Sequence, residues 1–175
     1  MSEILFRAKQ EDTGLWVFGS YLHTIEEEGG FEHHDIFARK SHRKLIKDDD
    51  GLITDWGVEV TRYLVYSSTV CQYIGVTDRK GHKIFEGDIL SIEFDVSEPE
   101  EGEPNKHYEN AVVVFSNLNA GWYADFGYEL LSMGEYIYSG SVAKRTEIIG
   151  NIYDDPGLAI SILNHAEQGE KEEAK

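Results

Sequence analysis

Three stretches of the chain carry side chains able to do chemistry. The first is FEHHD, Phe31 to Asp35, with His23 upstream. Glu32, His33, His34 and Asp35 are imidazoles and carboxylates of the kind that ligate zinc and related cations. Neighbouring residues of a strand or helix point in different directions, so these side chains cannot all converge, and exposed histidines without a metal are the expected outcome. The second is QYIGVTDRKGHKIFEGDIL, Gln72 to Leu90, which sets Asp78, Lys83, Glu86 and Asp88 among Gly75, Gly81 and Gly87. The third is RKSHRKLIK, in which Arg39, Lys40, Arg43, Lys44 and Lys47 make five basic residues of nine.

Turn chemistry accounts for the second stretch without a reaction. TDRKG reads as a tight turn with Asp78 first and Gly81 fourth, HKIF as a short extension, and EGD as a second reversal at Gly87. Asp88 is then placed to accept backbone N–H groups ahead of a strand. DDDG resembles a calcium loop, but with Gly51 in sixth place the first residue is Ile46 and the twelfth is Gly57, and both should be acidic. No GxSxG, HExxH, phosphate-cradling glycine loop or dinucleotide fingerprint occurs. The residues therefore point to no catalytic group, no cofactor and no metal. Cys71, the one cysteine, permits no internal disulfide and reads as a small buried hydrophobe.

The basic stretch stands out because the chain around it is acidic. The formal charge is −17, with 16 basic and 33 acidic residues. Residues 1–65 hold 8 basic and 13 acidic side chains, residues 66–155 hold 6 and 16, and residues 156–175 hold 2 and 4. Phosphate binding by the 39–47 patch would work against repulsion from the rest of the protein, so nucleic acid is a disfavoured partner. Docking onto an acidic patch of a second copy is the preferred use, suited to symmetric or ring contacts. The charge also allows a third use, as an acidic decoy that occupies a basic host surface.

The elements that must hold these residues read mostly as strands. LWVFGSYL (15–22), VEVTRYLVY (58–66), VCQYIGV (70–76), DILSIEFDV (88–96), NAVVVF (110–115), GWYADFG (121–127), EYIYSG (135–140) and TEIIGNIY (146–153) are short and rich in β-branched and aromatic residues. In the fourth, Leu90, Ile92 and Phe94 alternate with Ser91, Glu93 and Asp95, one face to a core and one to water. Pro156 at a first helical position and apolar Leu158, Ala159, Ile162, Leu163 and Ala166 predict a short C-terminal helix with Asp155 as its N-cap. HHDIFARKSHRKL is a second helical candidate. The expected fold is mainly β, either barrel-like or α+β with a strongly bent antiparallel sheet. It forms a single domain over 1–166, with a variable insertion at about 23–57, an acidic loop at 97–107 and a disordered tail at 167–175.

The longest aliphatic run, AVVVF at 111–115, is far below the roughly 20 residues that span a bilayer. MSEILFRAKQ lacks the basic region and apolar core of a secretory signal, so the bacterial cytoplasm is the expected location and no membrane is involved.

Several segments together resemble one known family. FRAK at Phe6–Lys9 followed by WVFG at Trp16–Gly19, the whole 72–90 stretch, VVVF ahead of Ala120-Gly121-Trp122, and EIIGNIYDDP at Glu147–Pro156 are similar to the YopX family of phage and prophage proteins. Residues about 23–57 and 97–107 fall outside that pattern. The resemblance implies a phage-borne protein with a β-rich fold, self-assembly as a homo-oligomer that extends to a large ring, and an unknown phage or host partner. It brings no catalytic residues. The shared positions are Gly75, Asp78, Gly81, Glu86, Gly87, Asp88 and Gly150 with core aromatics, which is what a family held together by its fold shows. A non-enzymatic binding or assembly role is therefore expected.

Overall fold

The computed structural model describes residues 4–46, 53–95, 106–134 and 142–164. The expected strand at 135–140, most of the 97–107 loop, Lys47 and the tail from 167 lie outside them. Two antiparallel sheets and little helix make up the described residues. β1 (Phe6–Lys9), β2 (Trp16–Ile25), β3 (Glu32–Ile46), β4 (Ile53–Leu64), β5 (Cys71–Thr77) and β6 (Lys83–Phe85) lie in the order β4-β3-β2-β1-β5-β6. β7 (Asp88–Asp95), β8 (Lys106–Ser116), β9 (Gly121–Asp125), β10 (Leu130–Ser132) and β11 (Thr146–Asn151) lie in the order β10-β9-β8-β7-β11. Helices α1 (Val142–Arg145) and α2 (Pro156–Leu163) flank β11 in the chain.

The chain divides into two compact units, one up to Gln72 and one from Tyr73. β5 belongs to both. Its Cys71 and Gln72 pair with β1, and its Tyr73 and Thr77 pair with β6 across an irregular register. Neither sheet closes among the described residues, so the barrel-like alternative is corrected. β10 and β11 end the second sheet as separate edges rather than pairing with each other.

In the first unit Ala8, Val17, Ile36 and Val65 form the core, with Phe6, Tyr21, Tyr63 and Val70 packed on it. In the second, the alternation in β7 buries Leu90 and Ile92 with Ala111, Val113, Ala124 and Phe126. The opposite face of β7 is dry at its start, because Ile89 and its register partner Val112 lie under Ala159 and Ile162 of α2. Each fully buried valine, leucine, isoleucine or phenylalanine among these stabilises the fold by about 1.5–3 kcal/mol, and each alanine by less.

Two local expectations change. The segment from His33 to Leu45 is not helical but forms most of β3, held on one edge by β2 and on the other by β4, with twelve register pairs to β4 from Asp35↔Leu64 to Ile46↔Ile53. Pairing on both edges satisfies its backbone, and this overrides the weak helical pattern. Asp155 does sit at the N-cap with Pro156 after it, but its side chain makes no capping bond. Its Oδ2 instead faces the Asn151 N–H at 3.4 Å.

Candidate functional site

The 72–90 stretch forms the end of β5, a turn, β6, a second turn and the start of β7. The Asp78 side chain is out of water. The Gly81 N–H reaches the Asp78 carbonyl at 3.0 Å, closing a four-residue turn. Asp78 Oδ1 accepts the N–H groups of Lys80 at 2.9 Å and His82 at 2.8 Å, while Oδ2 faces the Ile148 N–H at 3.3 Å and the His82 ring at 3.4 Å. The carboxylate thus ties the turn to β11. Burial pushes its pKa up, but the backbone N–H groups of His82, Ile148 and Lys80, with the His82 ring, outweigh that and hold it below the ordinary carboxylate range. Arg79 and Lys80 on the same turn both pair with Glu147 of β11.

Asp88 is fully buried and accepts the Phe85 N–H at 2.8 Å. Between them Gly87 has φ +75°, donates to Val113 O at 2.8 Å and accepts from the Ile152 N–H at 2.9 Å. Gly75 and Gly81 also have positive φ, and Gly150 follows a register shift opposite β7. Glu86 is half-buried. The carboxylates of Asp78 and Asp88 are thus occupied by backbone donors.

The histidine segment is organised by strand parity. Along β3, positions 33, 35, 37 and 39 face one way and 32, 34, 36, 38 and 40 the other. On the odd face, Asp35 is 1% exposed, and its two oxygens accept Arg62 Nε and Nη2 at 2.8 Å each in a forked pair. Leu22 and Leu64 are its register partners on either side, both largely exposed. His33 bonds Glu26 at 2.8 Å. An open groove of about 760 Å³ runs past Glu11, Asp12, His33, Arg62, Tyr63 and Leu64.

On the even face Glu32 and His34 share a side, and His23 of β2 is the register partner of His34. Among the described residues this is the one group of three ligating side chains whose atoms come together, all within 4.8 Å of one another. Parity also divides the basic stretch. Arg39 and Lys40 are both exposed but on opposite faces, while Arg43 and Lys44 pair in register with Trp56 and Asp55.

The family model described as YopX protein matches residues 5–159. The chain belongs to the YopX family. No curated protein matches it. The crystal structure of protein EF1440 from Enterococcus faecalis is similar over 90% of this chain and 99% of its own, with 16% sequence identity and a TM-score of 0.49. No helix among the described residues of this YopX-family chain is long and apolar enough to cross a membrane.

Side chains of Glu32, His33, His34 and Asp35 diverge as neighbours on the strand, but every second residue shares a face. Glu32 and His34 converge because they are two apart on a strand. The signal available in the sequence was the E-x-H spacing, and reading it required β3 to be recognised as a strand and His23 to be placed opposite it.

Proposed function

We propose that this is a phage-borne protein of the bacterial cytoplasm that acts by binding rather than catalysis, assembling with copies of itself through the odd-numbered face of β3 and its neighbours. The observation that supports this is an apolar set left in water on that face. Leu22 is 46% exposed, Leu64 48% and Val60 57%. Monomers gain by covering such groups.

Arg39 is the register partner of Val60 and exposed beside it, so it offers a positive point to the acidic surface of a second copy. β4 is also the edge strand of its sheet among the described residues, with the Leu64 carbonyl at its end accepting the Glu11 N–H at 3.1 Å. Membership of the YopX family supports the phage setting. A contact between unlike patches would close into a ring, and a contact between like patches into a dimer.

Light scattering on the purified chain tests this. A mass at least twice 19.9 kDa is expected at micromolar concentration. The pair Val60→Lys and Leu64→Lys should return it to a monomer with an unchanged circular dichroism spectrum. A monomeric wild-type protein overturns the proposal.

A further inference from the structure

The β2–β3 register builds a three-donor set without any loop. The imidazoles of His23 and His34 lie parallel, with ring centroids 4.6 Å apart and planes 4° from each other. Both Nε2 atoms lie near one oxygen, Glu32 Oε2, at 3.5 Å from His23 and 3.7 Å from His34, and a turn of the more exposed His23 ring out of the stack brings its in-plane lone pair towards an ion held by His34. Those separations exceed the ~2.7–3.2 Å of an N–H···O hydrogen bond. They are near the spacing of two donors around a single ion, since ligands ~2.0–2.1 Å from a tetrahedral zinc stand about 3.4 Å apart.

We propose that His23 Nε2, His34 Nε2 and Glu32 Oε2 bind one divalent transition-metal ion of the zinc class, leaving its remaining position open. Two imidazoles with one carboxylate select zinc, copper, nickel or iron over the oxygen-seeking calcium and magnesium. The donor side chains are 40%, 20% and 59% exposed for His23, His34 and Glu32, so an ion reaches them without any opening of the fold. A chain of net charge −17 concentrates cations near its surface.

Tyr21 supplies what a ligating histidine needs behind it. Its Oη lies 2.6 Å from His34 Nδ1, and its ring is anchored against Phe6 at 5.5 Å. With Nδ1 carrying the proton and donating it to that oxygen, Nε2 turns its lone pair toward the ion. Tyr21 is thus a positioning residue. This site lies on the face opposite the one assigned to assembly, so it does not rest on that assignment.

Calorimetric titration of the untagged full chain with zinc chloride tests the site, and cobalt(II) absorption in the visible region reports donor geometry. One zinc per chain is expected. His34→Ala and the more exposed His23→Gln should each weaken binding by at least roughly 10-fold, and Tyr21→Phe by about 10-fold, the usual cost of losing a partner behind a ligand. His33→Ala, on the other face, should bind as the wild type does. Cobalt should give ligand-field bands in the wild type that disappear in His23→Gln. The proposal is overturned if the wild type takes up no zinc, if binding survives His23→Gln with His34→Ala, or if His33→Ala weakens binding as much as they do.

Discussion

Asp78 is a carboxylate withdrawn from water yet held ionised by donors it did not bring itself. Removing it as Asp78→Ala leaves the N–H groups of Lys80, His82 and Ile148 without their acceptor. A loss of roughly 2–4 kcal/mol is expected from chemical denaturation, with Asp78→Asn losing about half, since one oxygen remains. Because its folded pKa lies below the ordinary value of 3.8, the unfolded chain takes up the proton first on acidification. Its contribution is therefore complete above that value and is lost as pH falls through the lower folded one. Glu93 and Glu147 are lowered too, by their lysine and arginine partners, so the slope to measure is the difference between wild type and Asp78→Asn. That difference should shrink as pH drops below the ordinary carboxylate value towards the lower folded one. A difference that does not change with pH would contradict the account.

At the scale of elements, local turn chemistry and period-two patterning were readable wherever a strand has one wet face. Leu90 and Ile92 announced β7, and Pro156 announced α2. β3 was not readable, because a central strand in a solvent-facing sheet carries charge on both sides, and among its residues 32–40 only Ile36 joins the apolar core completely. What makes it a strand is its two neighbours, whose register partners lie seven or more residues away in sequence. The residues of the histidine set were picked out from the sequence, but their convergence was not, as that geometry exists only once His23 and His34 are opposed. Turns depend on fewer residues and can be tested singly. A Cβ at Gly87 would stand 3.2 Å from the Ile152 side chain, at a φ of +75° that costs an L-residue about 1–2 kcal/mol. Gly87→Ala should therefore lower the melting temperature by about 2–8 °C, read by thermal circular dichroism. An unchanged midpoint would show that this turn relaxes freely.

For the whole molecule, net charge and exposed apolar surface oppose each other. Copies at −17 repel, while Leu22, Val60 and Leu64 favour contact. Salt screens the first and leaves the second intact, with a screening length of ~10 Å at 0.1 M. Association should then tighten several-fold as sodium chloride is raised from low to physiological levels, as measured by sedimentation equilibrium. Weakening with salt would instead indicate an interface dominated by attraction between opposite charges, of the kind the basic 39–47 stretch would make with the acidic surface of a second copy. β3 gives a final consequence through its two-residue alternation. Odd and even positions answer to separate constraints, so substitutions that retune what the strand touches on one side can accumulate silently on the other. Divergent copies of this segment could thus trade one capacity for another by single changes, without altering the hairpin that carries both.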